Sequence, residues 1–281
     1  MLKVWITGAE GHVGSALQEL LDIREYHLLT TDINEVDITD FTQVSSYMHR
    51  NRPDVVINCA SITDVDFCEK NSDMAYKVNA IGVRNLALSA GEVRAKLIHI
   101  STDDVFDLKS NVPYNEFDKT HPKTIYGKSK EAGERFVTQL MNRFVIIRSS
   151  WIYGIGRDFV DYVLRQIGNV DTLEVPDNKF GVPTSAKELA KVICYFIDND
   201  EYGLYHAVCQ GSCSRYEFAE AILEYSGNTD KIKLNAVSSD HKNRPEYSVL
   251  DNMMLRLTGI SEPAEWKTAL KEYIEEKGGL E

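Results

Sequence analysis

Basic charge is in short supply: 31 Lys and Arg stand against 43 Asp and Glu in 281 residues, a formal net charge of −12. Nucleic acid and anionic lipid both call for a Lys/Arg-rich face, so neither is an expected partner. An anionic ligand must then be held by backbone N–H groups or by a few local Arg and Lys residues. Long apolar runs are missing as well. The longest, near Val192–Ile197, has six residues, far below the ~20 of a membrane helix. The apolar start Met1–Ile6 gives way at Thr7-Gly8, too soon for a signal-peptide core. Cysteine is sparse, and Cys59, Cys68, Cys194, Cys209 and Cys213 form an odd set without a CxxC pair. No His completes the CxxxC of Cys209 and Cys213, and the histidines show no HxxxH or HExxH spacing, so no structural or catalytic metal is expected. Reduced thiols point to a cytoplasmic chain.

With 43% hydrophobic and 26% charged residues, the composition is that of a globular protein of one or two domains. Short β-branched runs alternate with helical stretches through the first half. Strands are expected at Lys3–Thr7, His27–Thr31, Asp54–Asn58, Lys96–Ile100 and Phe144–Arg148. Helices are expected at His12–Asp22, Asp40–Asn51, Asp73–Ala90 and Lys128–Leu140. Runs such as DVVIN, KLIHI and FVIIR hold continuous rather than alternating apolar residues, the mark of strands buried on both faces. The fold class is therefore α/β, a Rossmann-like doubly wound parallel sheet. After Trp151 the rhythm changes. Helical patterns at Phe159–Ile167, Ala186–Asp198, Arg215–Ser226 and Glu262–Glu276 are separated by short extended pieces such as Tyr202–Val208. This predicts a dinucleotide-binding domain over 1–150 and a smaller C-terminal α+β substrate lobe over 151–281, partly interleaved with the sheet.

Directly after the first strand comes Thr7-Gly8-Ala9-Glu10-Gly11-His12-Val13-Gly14. Gly8 permits a tight turn, Gly11 lets backbone approach a pyrophosphate, and Gly14 lets the helix close on the strand. The free N–H groups of that helix start suit phosphates, so an acidic protein can bind a dinucleotide here. Asp32 follows the second strand, 18 residues beyond Gly14, where a carboxylate accepts from a ribose 2′-hydroxyl. The other reading of Asp32 is a strand-end turn residue. The first reading favours NAD(H), with NADP(H) also admitted.

Ser101-Thr102-Asp103 ends the KLIHI strand, and Tyr126-Gly127-Lys128-Ser129-Lys130 opens the helix before FVIIR. Tyr126 and Lys130 are four apart and share a helix face. A free phenol titrates near 10. The neighbouring ammonium, with the positive charge of an oxidised nicotinamide, is expected to draw it toward neutral pH, a change worth ~4 kcal/mol. Tyr126 then serves as proton donor or acceptor, with a Thr102 hydroxyl on the same carbonyl oxygen.

On these and further motifs the chain resembles the dTDP-4-dehydrorhamnose reductase family of extended short-chain dehydrogenase/reductases. The motifs are TGAEGHVGSAL, VDITD, PDVVINCASITDVDFCE, VNAIGVRNLA, STDDVFD, PYNEFD, YGKSKEAGE, RSSWIYGIG, NKFGVPTSAKELA, GLYHAVCQG and RPEYSVLD. The resemblance implies Thr102, Tyr126 and Lys130 as the catalytic set, with Tyr126 and Lys130 also touching the cofactor. It implies Gly8, Gly11, His12, Val13 and Gly14 at the pyrophosphate, Asp37 and Ile38 beside the adenine, and Cys59, Ala60 and Ser61 along the ribose. Thr63, Val65, Thr102, Asp103 and Trp151 would face the sugar, and Arg244 would close on the nucleotide. The chain departs from the family pattern at Asp104, Asp158, Asn178-Lys179 and Ala16, mostly in the substrate part.

The implied activity is NAD(P)H-dependent reduction of the C4 ketone of a nucleoside-diphosphate 4-keto-6-deoxyhexose, by a monomer or homodimer whose partner is a nucleotide sugar. One alternative is an epimerase, dehydratase or reductase of another nucleotide sugar. Another is a dinucleotide-binding regulatory subunit similar to that of methionine adenosyltransferase.

Overall fold

The computed structural model describes residues 1–107, 110–239 and 246–278. Its first half runs β1 (Leu2–Thr7), α1 (His12–Leu20), β2 (Tyr26–Thr31), α2 (Phe41–Asn51), β3 (Val55–Asn58), α3 (Val65–Lys70), α4 (Ser72–Tyr76), a π-helical segment Lys77–Gly82, α5 (Val83–Val93), β4 (Lys96–Thr102), α6 (Ile125–Leu140) and β5 (Phe144–Ser149). The second half runs β6 (Ile152–Tyr153), α7 (Phe159–Gln166), β7 (Thr172–Pro176), β8 (Phe180–Gly181), β9 (Thr184–Ser185), α8 (Ala186–Asp198), β10 (Gly203–His206), β11 (Cys213–Ser214), α9 (Arg215–Tyr225), β12 (Lys233–Val237), α10 (Met253–Thr258) and α11 (Trp266–Gly278).

Six strands form one parallel sheet in the order β10-β5-β4-β3-β1-β2. Both faces are dry, which is why the strands read as unbroken apolar runs. Val4, Ile6, Val55, Ile57, Ile98, Val145 and Ile147 point to one core with α1, α8 and α10. Their neighbours Trp5, Val56, Leu97 and Ile146 point to the opposite core with α2, α5 and α6. Trp5 is fully buried, and its indole N–H is satisfied by Thr31 Oγ1 at 2.9 Å. A third cluster fills the C-terminal lobe between α7, α9 and α11.

Two details differ from the sequence expectation. The helix expected over Asp73–Ala90 is broken into α4, the π-helical segment and α5, and α3 precedes it, started by Asp64, whose carboxylate accepts from Phe67 N at 2.9 Å. β10, late in the chain, pairs in parallel with β5 and is the sixth strand of the main sheet. The crossover therefore ties the second half of the chain into the first. Sequence passes from β1 to β2 on one side and returns to β3 on the other. The switch point between β1 and β3 is where such sheets open a ligand crevice.

Candidate active site

The chain leaves β1 through Gly8, at φ +67°. A side chain there would put its Cβ 2.6 Å from the Ala60 amide nitrogen, just beyond β3. A Cβ on Gly14 would lie 2.4 Å from Gly8 O, and one on Gly11 3.3 Å from that same oxygen. The three glycines thus let the turn, the α1 start and the β3 end nest backbone to backbone. Gly11 is the α1 N-cap with no side-chain hydrogen bond, and the first turn holds no acidic residue. Uncapped N–H groups and a positive helix end suit a pyrophosphate, so these residues fit a dinucleotide. Gly14→Ala should cost about 1–3 kcal/mol through overpacking and weaken dinucleotide binding. Thermal melts with and without NADH read both effects.

A cleft of about 1240 Å³ opens beside this turn, over the carboxyl ends of β3, β4 and β5. It brings together Gly11, His12, Val13, Cys59 and Ser61 from the expected cofactor set. Thr63, Val65, Thr102, Asp103 and Trp151 of the expected sugar set line it, as do Tyr126 and Lys130. Gly8, Gly14 and Ala60 lie beneath the turn rather than on the cleft wall. Asp32 stands off the wall, and its two oxygens accept from Glu10 N at 3.2 Å and Ile33 N at 2.8 Å. Asp37 accepts from Thr39 N at 2.8 Å, while the Ile38 side chain is core, set against Gly82. Arg244 lies outside the described residues.

Helix α6 carries the chemistry. Thr124 caps it, accepting from Gly127 N at 2.9 Å, so it starts before Tyr126 rather than at Lys128. Gly127 has no room for a side chain, since a Cβ would lie 2.1 Å from Asp104 O. That close approach brings Tyr126 against the end of β4, where its phenol hydrogen-bonds with Thr102. One turn on, Lys130 is buried and donates to Ile100 O at 2.6 Å. Burial lowers its ammonium to about 8. Burial also pushes the Tyr126 phenol well above its usual 10, with Asp104 and Asp103 adding to the rise and Thr102 opposing it. This reverses the downward shift expected from the Tyr/Lys spacing, because burial of the phenol outweighs the Thr102 hydrogen bond and the nearby Asp104 and Asp103 add to it. The consequence is a phenol that keeps its proton at neutral pH, the state a proton donor needs.

Asn79 and Glu134 support the site and escaped the sequence reading. Asn79, in the π-helical segment, bonds Ile62 N and O at 2.8 and 2.9 Å and donates to Ser129 Oγ at 3.0 Å, pinning the loop after β3 to α6. Glu134, one turn beyond Lys130, accepts from Ser101 Oγ at 2.6 Å and from Arg148 Nε and Nη2 at 2.8 and 2.7 Å. Asp103 accepts from Thr102 Oγ1 at 3.0 Å and Ser150 Oγ at 2.8 Å, and its burial raises its carboxyl. Asp158, although on the cleft wall, spends its oxygens on Gly154 N and Asp161 N as the cap of α7. Two buried hydroxyls lining the cleft, Ser149 Oγ and Tyr153 Oη, have no hydrogen-bond partner among the described residues, which fits a polar ligand. Trp151 takes the left-handed backbone at φ +43° and places its indole under the Arg215 guanidinium, 3.5 Å away.

The RmlD substrate binding domain model matches residues 2–278. The spore coat polysaccharide biosynthesis protein SpsK of Bacillus subtilis is 39% identical over 99% of this chain and 98% of its own. The dTDP-4-dehydrorhamnose reductase of Aggregatibacter actinomycetemcomitans is 35% identical over 96% of this chain and 98% of its own. The crystal structure of dTDP-4-dehydrorhamnose reductase from Bacillus anthracis in complex with NADP superposes with a TM-score of 0.95 at 40% identity, covering 98% of this chain and 99% of that one. With its sequence and fold thus matched over nearly the whole length, the chain belongs to the RmlD substrate binding domain family.

Proposed function

We propose that this protein reduces the C4 ketone of a nucleoside-diphosphate 4-keto-6-deoxyhexose, dTDP-4-dehydrorhamnose first among them, with NAD(P)H as reductant. The observation that carries this is the Tyr126–Thr102 pair, with Lys130 one turn away, at the carboxyl end of β4 beside the glycine turn. Relatives named for that reductase, covering almost the whole chain, support it. Residues 1–150 would bind the dinucleotide and 151–281 would form the substrate lobe. A reduced nicotinamide held at the glycine turn would supply the hydride that the carbonyl carbon needs. Tyr126 gives its proton to the oxygen as negative charge develops there, and Thr102 orients that oxygen by hydrogen bonding. Lys130 holds the ribose and stabilises the phenolate that remains. The SpsK relative supports a role in cell-surface polysaccharide biosynthesis. The free thiols support a cytoplasmic location, and the protein would act there as a monomer or homodimer.

Following NADH or NADPH oxidation with dTDP-4-dehydrorhamnose tests the reading. Stoichiometric oxidation is expected. Turnover without added reductant would instead mark an epimerase or dehydratase.

For the cofactor we favour NADH, with NADPH accepted. Asp32 has lone pairs left after its two backbone bonds, and a 2′-phosphate would meet its carboxylate. Arg24, one nearby cation in sequence, is paired with Asp22. A charge-assisted hydrogen bond to the 2′-hydroxyl is worth ~1.5–3 kcal/mol. Asp32→Ala should therefore lower the NADH/NADPH ratio of kcat/KM about tenfold or more. A wild-type preference for NADPH that the variant leaves untouched would make Asp32 a turn residue only.

A further inference from the structure

We propose that the segment Gly154–Asp158 straps the second lobe onto the cofactor turn, and that Tyr273 of the C-terminal helix α11 is the positioning residue that holds this strap. The proposal deepens the dinucleotide reading and rests on it. The contact joins residues 143 apart in sequence, with the His12 imidazole against Ile155 O at 2.7 Å. A carbonyl only accepts, so Nδ1 carries the hydrogen and donates it. His12 is the first residue of α1, directly after the uncapped Gly11. The strap therefore touches the turn where a pyrophosphate would meet free N–H groups. Close packing there depends on the lack of side chains. A Cβ on Gly156, at φ +120°, would lie 3.3 Å from His12 Cε1. One on Gly154 would lie 3.4 Å from His12 Cβ and 3.0 Å from Ala186 Cβ at the start of α8.

The strap is short and tied at both ends. Asp158 Oδ2 accepts from Gly154 N at 2.8 Å, which closes the loop, and its Oδ1 accepts from Asp161 N at 2.9 Å inside α7. Upstream, Tyr153 belongs to β6, which is paired with β9. Tyr153, Arg157 and Asp158 line the cleft together with Gly11 and His12.

A third tie comes from a residue that is not on the cleft wall. Tyr273 Oη donates to Gly154 O at 2.6 Å, and its ring meets Tyr153 edge-on at 5.3 Å. Burial lifts this phenol to about 12, with Asp158 and Asp161 adding to the rise, so it stays a donor through the neutral range. Helix α11 is itself anchored in the lobe's core by Trp266, Leu270 and Ile274. Two hydrogen bonds thus link α11, through the strap's backbone, to the residue that opens α1. Ordering a free loop costs about 1–2 kcal/mol per residue. A strap ordered beforehand spares a dinucleotide that cost, and the gain appears as affinity. None of these ties involves Thr102, Tyr126 or Lys130, so the effect falls on cofactor binding rather than on the chemical step.

Fluorescence titration with NADH, calorimetry with ADP and dTDP, and steady-state kinetics test this on wild type, Tyr273→Phe, His12→Leu and His12→Gln. Tyr273→Phe removes only the hydroxyl. It should raise the Kd and KM for NADH about three- to tenfold, the worth of one hydrogen bond, and weaken ADP alike. Its kcat at saturating NADH and its dTDP affinity should match wild type. His12→Leu loses the donor to Ile155 and should show the same pattern, whereas His12→Gln keeps a donor and should recover most of the affinity. The double variant Tyr273→Phe with His12→Leu should lose less than the two losses added, because each opens the same strap. Unchanged NADH affinity in both Tyr273→Phe and His12→Leu overturns the strap. So does equal weakening of NADH and dTDP, the mark of a lobe loosened as a whole, and so does a fall in kcat at unchanged KM. The two readings fail apart. Wild-type protein that binds neither NADH nor ADP removes the dinucleotide reading and the strap with it. Wild-type binding that neither variant alters removes the strap alone.

Discussion

Replacing Tyr126 with phenylalanine should lower turnover about 10²–10⁴-fold, the usual worth of a positioned general acid. The ring stays, so the fold should lose no more than the Thr102 hydrogen bond, about 0.5–1.5 kcal/mol. NADH affinity, measured by fluorescence titration, should be close to wild type. Near-normal turnover would move the proton donor elsewhere, Asp103 being the next buried acid in the cleft. The pH profile gives a second readout. Because burial lifts the phenol, Tyr126 stays protonated through the neutral range. Lys130 is the group that titrates first, near pH 8. As pH rises through that value the ammonium is lost, and with it the charge that would stabilise the departing phenolate. The expected result is a fall in kcat/KM above about pH 8. Stability moves the other way. A lysine depressed from 10.5 is penalised while charged in the fold, so between about 8 and 10.5 the unfolded chain binds more protons and this residue's contribution improves with pH. A falling rate with steady or rising stability separates titration of Lys130 from alkaline unfolding.

The sheet was legible because its strands are buried twice over. VVIN, KLIHI and FVIIR leave no polar face, and only a parallel sheet between helix layers needs such runs. The glycine turn was legible because backbone contacts at Gly8 and Gly14 exclude a Cβ and the one at Gly11 leaves little room for it. Other features depend on partners far away in sequence or on segments too short to show a period. β8 and β11 are two residues each, so nothing in their composition announces their pairing. The π-helical segment that presents Asn79 has the same residue pattern as an ordinary helix. Spacing correctly put Tyr126 and Lys130 on one face but misjudged the phenol. The direction of its shift is set by burial and by Asp104 and Asp103, which only the folded chain places around it.

Glu134→Ala should be the most damaging single change to the fold among the residues behind the site, at about 3–5 kcal/mol. Arg148 is 4% exposed, and its Nη1 already lacks a partner among the described residues, so Glu134 is what balances the guanidinium. Removing the carboxylate leaves that charge buried beside Phe106 and His206, where water cannot reach it. It also frees Ser101, whose hydroxyl bonds Glu134 at 2.6 Å one residue from both Thr102 and the Ile100 carbonyl that holds Lys130. Against a total stability of about 5–15 kcal/mol for a typical domain, such a loss is about a fifth or more. Urea unfolding should show it as a lower midpoint with little change in slope. The double variant Glu134→Leu with Arg148→Met removes both charges and should recover most of the lost stability, since a well-packed apolar pair often equals a buried ion pair. Glu134→Gln separates stability from chemistry. It keeps the shape and an acceptor but withdraws the negative charge that raises the Lys130 ammonium. Its alkaline fall in kcat/KM should therefore begin at lower pH than in wild type. A Glu134→Ala variant that unfolds at the wild-type urea concentration would show that Arg148 is balanced by other groups.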